Sequence, residues 1–298
     1  MQVLWFKCDE IIGGTAIAVA VVAVCLAGLF FHCEISNDPG TDKFCRMASE
    51  AEGTLDQFKD QGHTAFVLGY TGETGKQLIK DLNRLQIFKK VVLVGRREIK
   101  LDPTFGPEFE QKVVDFDNLE ASRDVFKGVD IGFCCLGTTK AKSGAKGFVK
   151  VDNDYVLNSA SIAKDEGCKH FSLVSSMGAD KNSSFLYPRT KGQVEEALKV
   201  MHFDRLTIYR PAVLMCDREE SRPAEAITRV LLKPVSYLFP TAITTPVEVL
   251  TRAMINSVMA EGEKEALLEN KAIHQLAGMS SVCKNKQNRV DSEGEKAK

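Results

Sequence analysis

From Thr64 onward the chain alternates short apolar runs with amphipathic stretches, and this alternation constrains the fold more than any other feature. Between the apolar runs lie segments such as Lys76–Leu85 and Tyr155–Glu166, whose apolar residues recur at helical spacing. Strands that alternate with helices at this period predict an α/β fold with a doubly wound parallel sheet, the Rossmann architecture. The predicted strands are Thr64–Leu68, Val91–Val94, Lys112–Val114, Ile131–Leu136, Phe171–Val174 and Leu206–Tyr209.

A charge-free apolar stretch, Ile11–Phe31, precedes this region. At ~1.5 Å per residue a helix of this length reaches roughly 30 Å, the thickness of a bilayer's hydrocarbon core. A secretory signal is the alternative, but signal peptides have shorter apolar regions and a small-residue cleavage site. We therefore expect an uncleaved N-terminal transmembrane helix. Lys43 and Arg46 follow it, which favours a cytosolic location for the rest of the chain.

These features predict four parts: a transmembrane anchor region at 1–35, a linker with a short helix at 36–62, a Rossmann domain at 63–279 and a polar, disordered tail at 280–298. Met47 resembles a second, soluble start. We expect the anchored form to sit on a membrane with its Rossmann domain in the cytosol. A form that starts at Met47 would be soluble in the cytoplasm or associated with the nuclear envelope.

Composition excludes some function classes. The 39 basic and 40 acidic residues nearly balance, so no electrostatic footprint for direct nucleic-acid binding exists. The nine cysteines and five histidines show no metal-ligand spacing, and we predict no metal site. An odd number of cysteines without a C-x-x-C motif favours a reducing compartment.

A glycine-rich loop follows the first predicted strand directly and leads into a helix. Its members Gly69, Thr71, Gly72, Glu73, Thr74 and Gly75 are candidate cofactor-binding residues. Glycines let the backbone turn tightly and approach a pyrophosphate, and the helix N-terminus supplies N–H groups and a positive dipole end. Glycines in an ordinary tight turn look the same, but the position between strand and helix is the one that dinucleotide binding requires.

The second predicted strand ends in Gly95-Arg96-Arg97. Sites selective for NAD place an acidic residue here for the ribose 2′-hydroxyl, whereas arginine suits a 2′-phosphate. Arg96 and Arg97 therefore predict NADPH as the cofactor, with a solvated basic turn as the alternative.

Later strand ends supply further candidates. Asp115 follows the third strand, and Leu136 with Gly137 closes the fourth. Leu214 and Arg222 come after the sixth strand, where the chain returns over the cofactor. Ligands of an open parallel sheet lie beyond the carboxyl ends of its strands, so these residues should face one crevice. Each of them also has an ordinary packing or solvated interpretation.

Tyr187 and Lys191 form a Tyr-x-x-x-Lys pair after the fifth strand. On a helix they lie one turn apart on the same face. An ammonium group near a phenol favours the phenolate, which lets tyrosine exchange a proton near neutral pH. Ser176, or alternatively Ser175, would hold the substrate oxygen. Pro188 is compatible with a helix only near its start.

Longer strings are more specific than these motifs. They are Leu-Gly-x-x-Gly-Glu-Thr-Gly at 68–75, Gly-Arg-Arg at 95–97, Val-Val-Asp-Phe at 113–116, Gly-Phe-Cys-Cys-Leu-Gly-Thr-Thr at 132–139, Gly-Cys-Lys-His-Phe at 167–171 and Leu-Leu-Glu-Asn-Lys-Ala-Ile-His at 267–274. From about Met47 to Ala277 the chain resembles the atypical short-chain dehydrogenase/reductases, and among them the metastasis-suppressor type.

The resemblance implies an NADPH-binding Rossmann fold with Tyr187 as the proton acceptor. It assigns cofactor contacts to Thr71, Gly72, Glu73, Thr74, Arg96, Arg97, Leu136, Gly137, Tyr187, Lys191, Leu214 and Arg222. It also implies protein partners in transcription regulation, apoptosis and nuclear import. One departure is Asp152, which stands where related extended-type reductases usually have asparagine.

Two functions fit the sequence. The first is an NADPH-dependent oxidoreductase that reduces a small-molecule carbonyl substrate with the Tyr187 and Lys191 relay. The second is a redox-sensing regulator that binds NADPH and acts through protein partners with little turnover. Cofactor binding and an intact Tyr/Lys pair are necessary for catalysis, but both functions are compatible with them.

Overall fold

A computed structural model of the protein describes residues 51–215, 244–260 and 262–278. Within these ranges no helix is both long and apolar enough to cross a membrane. Several sequence predictions fall outside them, namely the apolar span at 11–31, the second start at Met47, the cofactor contact Arg222 and the tail at 280–298.

A seven-stranded parallel sheet forms the centre of the described protein, in the order β3-β2-β1-β4-β5-β6-β9. The strands are β1 (Thr64–Leu68), β2 (Lys90–Gly95), β3 (Phe109–Val113), β4 (Ile131–Cys134), β5 (His170–Val174), β6 (Arg205–Arg210), β7 (Val213–Met215), β8 (Thr244–Pro246) and β9 (Glu265–Glu269). Each neighbouring pair in the sheet is parallel. The predicted doubly wound α/β fold is therefore confirmed.

Helices cover both faces of this sheet. They are α1 (Ala51–Asp60), α2 (Glu73–Leu85), α3 (Lys140–Val149), α4 (Tyr155–Asp165), α5 (Leu186–Val200) and α6 (Val247–Met259). Helices α1, α2 and α6 share one apolar core with the sheet. The 3-10 segment Phe116–Phe126 and helices α4 and α5 share the other. Because the central strands are buried on both faces, their sequences are mostly apolar and do not alternate, although β5 and β6 also bury polar residues such as Ser172 and Thr207.

The structure moves the bounds of predicted strands, most of all the third and the fourth, and adds β7, β8 and β9, which were not predicted. The third strand runs over Phe109–Val113 rather than Lys112–Val114, because this edge strand is only partly buried and carries polar residues that hide its pattern. The fourth ends at Cys134 rather than Leu136, since the chain turns away towards the site. Strand β9 pairs with β6 at the opposite edge, and it too is mostly exposed.

Two sequence neighbours illustrate the pleat of β4. Cys134 belongs to the core that α4 and α5 cover, whereas Cys135 packs against the core on the other face. Their opposite directions were expected from the two-residue period of a strand. Burial raises the pKa of Cys134 to about 12, so its thiol stays protonated.

Candidate functional site

The candidate site lies at the carboxyl ends of β1 and β4. These two strands are neighbours at the point where the strand order reverses. Connections leave such a point in opposite directions, which opens a crevice between the loops that follow the strands. The glycine loop follows β1 and the Leu136–Gly137 segment follows β4, so both border this crevice.

The glycine loop is packed so tightly that two of its positions admit no side chain. Gly69 has a φ of +77°, and a Cβ there would lie 2.5 Å from the Cys135 carbonyl oxygen. A Cβ on Gly75 would lie 2.3 Å from the Gly69 carbonyl oxygen. Gly69 thus lets the loop pass close to β4, and Gly75 lets α2 start directly against the loop.

Gly72 serves a different purpose, because the fold itself does not require it. Its φ of −83° and ψ of 167° suit any residue, and a Cβ would meet only the Gly69 carbonyl oxygen, at 3.4 Å. Gly72 is the N-cap of α2, and no side chain caps this helix end. The first-turn N–H groups and the positive end of the helix dipole are therefore left for an anion, which fits a dinucleotide pyrophosphate.

The remaining loop candidates stand at the same helix end. Thr71, Glu73 and Thr74 are partly buried, and Glu73 approaches Lys76 at 3.5 Å. The structure thus brings all six loop residues together at one rim of the crevice.

Arg96 and Arg97 lie just beyond the carboxyl end of β2, next to the glycine loop. Both side chains are exposed. Within the described ranges the arginine ion pairs involve Arg84, Arg123 and Arg210 but neither of these two. Two guanidinium groups without carboxylate partners suit a phosphate ligand.

Tyr70 connects the glycine loop to this arginine segment, a link that sequence reasoning missed. The side chain is fully buried, and its hydroxyl donates to the Arg97 carbonyl oxygen at 2.8 Å. A Cβ on Gly95 would lie 2.7 Å from the tyrosine ring, so Gly95 makes room for it. Burial raises the pKa of Tyr70, which keeps the hydroxyl protonated as a donor. An aromatic residue between two loop glycines was the available signal.

Asp115 and the segment after β4 complete the crevice rim. Asp115 is exposed and its carboxylate caps the following 3-10 helix by accepting from the Asp117 N–H at 2.9 Å. Leu136 is partly buried and Gly137 is exposed. Their roles toward a cofactor stay predictions.

Tyr187 and Lys191 lie on the first turns of α5, with Pro188 as the third residue of that helix. The Tyr187 ring is 48% exposed and stacks on Phe148, with ring centroids 5.5 Å apart. Lys191 is buried at the base of the crevice. A Cβ placed on Gly137 would lie 4.0 Å from its ammonium nitrogen. The structure therefore brings the Tyr/Lys pair and the β4 loop together.

Asp152 is the partner of Lys191. It lies in a single π-helical turn, Lys150–Asp154, between α3 and α4. Its Oδ1 is 2.8 Å from the Lys191 ammonium nitrogen, and its Oδ2 accepts from the Thr138 N–H at 2.8 Å. Burial is the largest single influence and acts to lower the pKa of Lys191, but the charge and hydrogen bond of Asp152, together with Tyr187, outweigh it, so the pKa is raised and the lysine stays charged.

The two serines after β5 face different ways. Ser175 is buried and its hydroxyl donates to Glu195 at 2.5 Å. Ser176 is only partly buried, and its hydroxyl donates to the neighbouring Met177 carbonyl at 3.2 Å. Since Glu195 also pairs with Arg210, Ser175 belongs to a buried network, and Ser176 has the more accessible hydroxyl.

Leu214 lies in the short strand β7, opposite Thr245 of β8. The Thr245 hydroxyl in turn contacts Asn270, which begins a helical segment at 270–278. Asn270, which belongs to the string at 267–274, thus contacts β8, and β8 in turn pairs with the strand that carries Leu214.

Comparisons with known proteins agree with this geometry. A family profile described as NAD(P)H-binding matches residues 69–229. Protein HTATIP2 of Rattus norvegicus is 48% identical over 222 residues, which cover 74% of this chain and 92% of that protein. The protein "fmp52, mitochondrial" of Aspergillus niger is 36% identical over 170 residues, or 55% of this chain and 71% of that protein.

Solved structures support the fold. The structure described as "MoeE5 in complex with UDP-glucose and NAD" superposes with a TM-score of 0.53 at 15% identity, covering 70% of this chain and 75% of that one. The family profile spans more than half of the chain, and HTATIP2 matches along almost its whole length. The resemblance to the Tat-interactive protein HTATIP2 is thereby confirmed, and this chain belongs to the NAD(P)H-binding family that the profile describes.

Proposed function

We propose that the protein is an NADPH-dependent oxidoreductase that reduces a small-molecule carbonyl compound. One observation carries the proposal: the glycine loop, the unpaired arginines and the Tyr187–Lys191 pair lie along the same carboxyl edge of the parallel sheet. A cradle for a dinucleotide and a proton-transfer group thus border a single crevice.

Selectivity for the phosphorylated dinucleotide rests on Arg96 and Arg97. The pyrophosphate would be held by the N–H groups at the start of α2, next to Gly72. The two guanidinium groups beyond β2 would bind the 2′-phosphate, and Tyr70 fixes the backbone that carries them. A site selective for the unphosphorylated cofactor would instead need a hydrogen-bond acceptor here, such as a carboxylate, for the ribose 2′-hydroxyl.

NADPH, when bound, supplies the hydride for the carbonyl carbon. Tyr187 donates a proton to the oxygen on which negative charge develops. Lys191 lies one helical turn further on and favours the phenolate that remains. Ser176 orients the substrate oxygen with its hydroxyl. The stacking of Tyr187 on Phe148 keeps the ring in one orientation with its other face accessible.

The direct test is a screen of carbonyl compounds with the purified full chain, in which oxidation of NADPH is followed by its absorbance. The panel should include short and long aldehydes, cyclic and aromatic ketones, and quinones. We expect at least one class to accelerate oxidation in the wild type and not in Tyr187→Phe. Saturable NADPH binding without turnover on any compound would refute catalysis and favour the redox-sensing regulator.

Membrane attachment through residues 11–31 is a separate prediction. The full chain should sediment with membranes and resist alkaline carbonate extraction, because a charge-free span of this length partitions into the bilayer. A chain that starts at Met47 is the matched control and should stay in the soluble fraction. The anchor hypothesis would be wrong if both chains fractionated alike.

A further inference from the structure

The buried carboxylate of Asp152 is unusually well placed to act on the Tyr187–Lys191 pair. Asp152 and Lys191 have side chains that are 1% and 8% exposed, and their charged atoms are 2.8 Å apart. The second carboxylate oxygen is held by the Thr138 N–H on the crevice rim. Lys191 therefore has Tyr187 one helical turn before it on α5 and a fixed negative charge next to its ammonium group.

The two opposite charges of an ion pair at this distance largely cancel in their effect on a third group. The influence of Lys191 on a phenol one helical turn away is then much smaller than that of a lone ammonium group. An asparagine at position 152 would preserve size and a hydrogen-bond acceptor but would remove the counter-ion, so that the Lys191 charge, while the lysine keeps its proton, acts on Tyr187 without compensation. The difference between the two residues is thus electrostatic more than steric.

The other ionisable groups near the pair do not supply a competing charge. Cys134 of β4 faces Lys191, but burial keeps its thiol protonated. Glu195 lies one turn beyond Lys191 on α5, and it is engaged with Arg210 and the Ser175 hydroxyl. In the described part of the chain, Asp152 is therefore the acidic group paired with Lys191.

We propose that Asp152 is a positioning residue that serves as a built-in counter-ion of Lys191 and restrains the ionisation of Tyr187. It sets the pH range over which the tyrosine holds its proton. This inference rests on the proposed function, because the ionisation of Tyr187 matters for catalysis only if Tyr187 transfers a proton. The electrostatic effect itself is a property of the protein without any ligand.

The test is therefore made on the protein without cofactor. The chain has five tyrosines, and labelling them with ¹³C at Cζ lets NMR follow each ring as it ionises. Tyr187→Phe assigns the Tyr187 signal by its disappearance. In Asp152→Asn we expect Tyr187 to ionise about one pH unit lower than in the wild type, since an opposite charge nearby favours the charged form by this order.

Asp117→Asn is the matched control. It removes the same charge, but Asp117 is half exposed and bonds to Lys150 and Tyr155 rather than to Lys191. Tyr187 should titrate in this variant as in the wild type. Asp152→Ser, which leaves room for a water molecule, should reproduce the shift if the asparagine variant folds poorly.

Kinetics provide the second readout. The alkaline limb of the pH profile of carbonyl reduction should move down by the same amount in Asp152→Asn, which a merely structural role would not cause. The proposal is overturned if Tyr187 ionises at the same pH in the wild type and both Asp152 variants, or if Asp117→Asn shifts it equally. A wild type without turnover would refute the proposed function and leave the NMR result to decide this inference.

Discussion

Tyr187→Phe is expected to slow NADPH-dependent carbonyl reduction by about a thousandfold, the usual contribution of a positioned general acid. The dissociation constant for NADPH should change by less than about twofold. Phenylalanine keeps the ring that stacks on Phe148 and loses only the hydroxyl. A loss in kcat with unchanged cofactor binding is the pattern of an interaction made only in the transition state.

Tyr155→Phe is the matched control for this substitution. Like Tyr187, Tyr155 stacks on a phenylalanine, but that residue is Phe116, and the Tyr155 hydroxyl donates to Asp117. Its loss should affect stability by about 1 kcal/mol and leave kcat nearly unchanged. Equal turnover in Tyr187→Phe and the wild type would exclude Tyr187 as the acid.

The second large effect concerns cofactor selectivity. Replacing both Arg96 and Arg97 by alanine should weaken NADPH binding by about a hundredfold, because two charge-assisted hydrogen bonds contribute about 1.5 kcal/mol or more each. NADH binding should change by less than about threefold. Both side chains are exposed and form no ion pair with another described residue, so their removal leaves the packing of the sheet intact.

The control for this pair is Arg84→Ala on α2. Arg84 is exposed as well, and its partner is Asp81 of the same helix. It should leave both dissociation constants unchanged, although it removes positive charge from the same protein. If the NADPH-to-NADH ratio stayed the same in the double variant, the 2′-phosphate assignment would be wrong.

Much of the fold follows from local sequence patterns. The central strands could be predicted because burial on both faces makes their sequences mostly apolar. Strand β9 escaped because its residues alternate in exposure and its partner β6 lies more than fifty positions earlier in the chain. Edge strands are specified by pairing across the sheet, and a single-sequence pattern contains little of that information.

The candidate site likewise has parts that the sequence predicts and parts that it does not. The glycine loop and the Tyr-x-x-x-Lys pair have fixed spacings, so they can be recognised from the sequence alone. The bond between Tyr70 and Arg97 and the ion pair between Asp152 and Lys191 join positions 27 and 39 residues apart, and only the folded chain shows them. Ser176 and Ser175 could not be distinguished before the direction of each side chain was known.

The central claim is that the start of α2 cradles the phosphates of a dinucleotide. It is tested most directly by titrating the wild type and Gly72→Val with NADPH and following the fluorescence of the reduced dinucleotide. The backbone conformation at Gly72 accepts valine, so the melting temperature without ligand should fall by only a few degrees, because valine is a poorer N-cap than glycine. The new side chain is expected to fill the space before the first-turn N–H groups. The account predicts saturable binding by the wild type and affinity at least about tenfold weaker in the variant. Equal affinity in both proteins, or no saturable signal from the wild type, would contradict it.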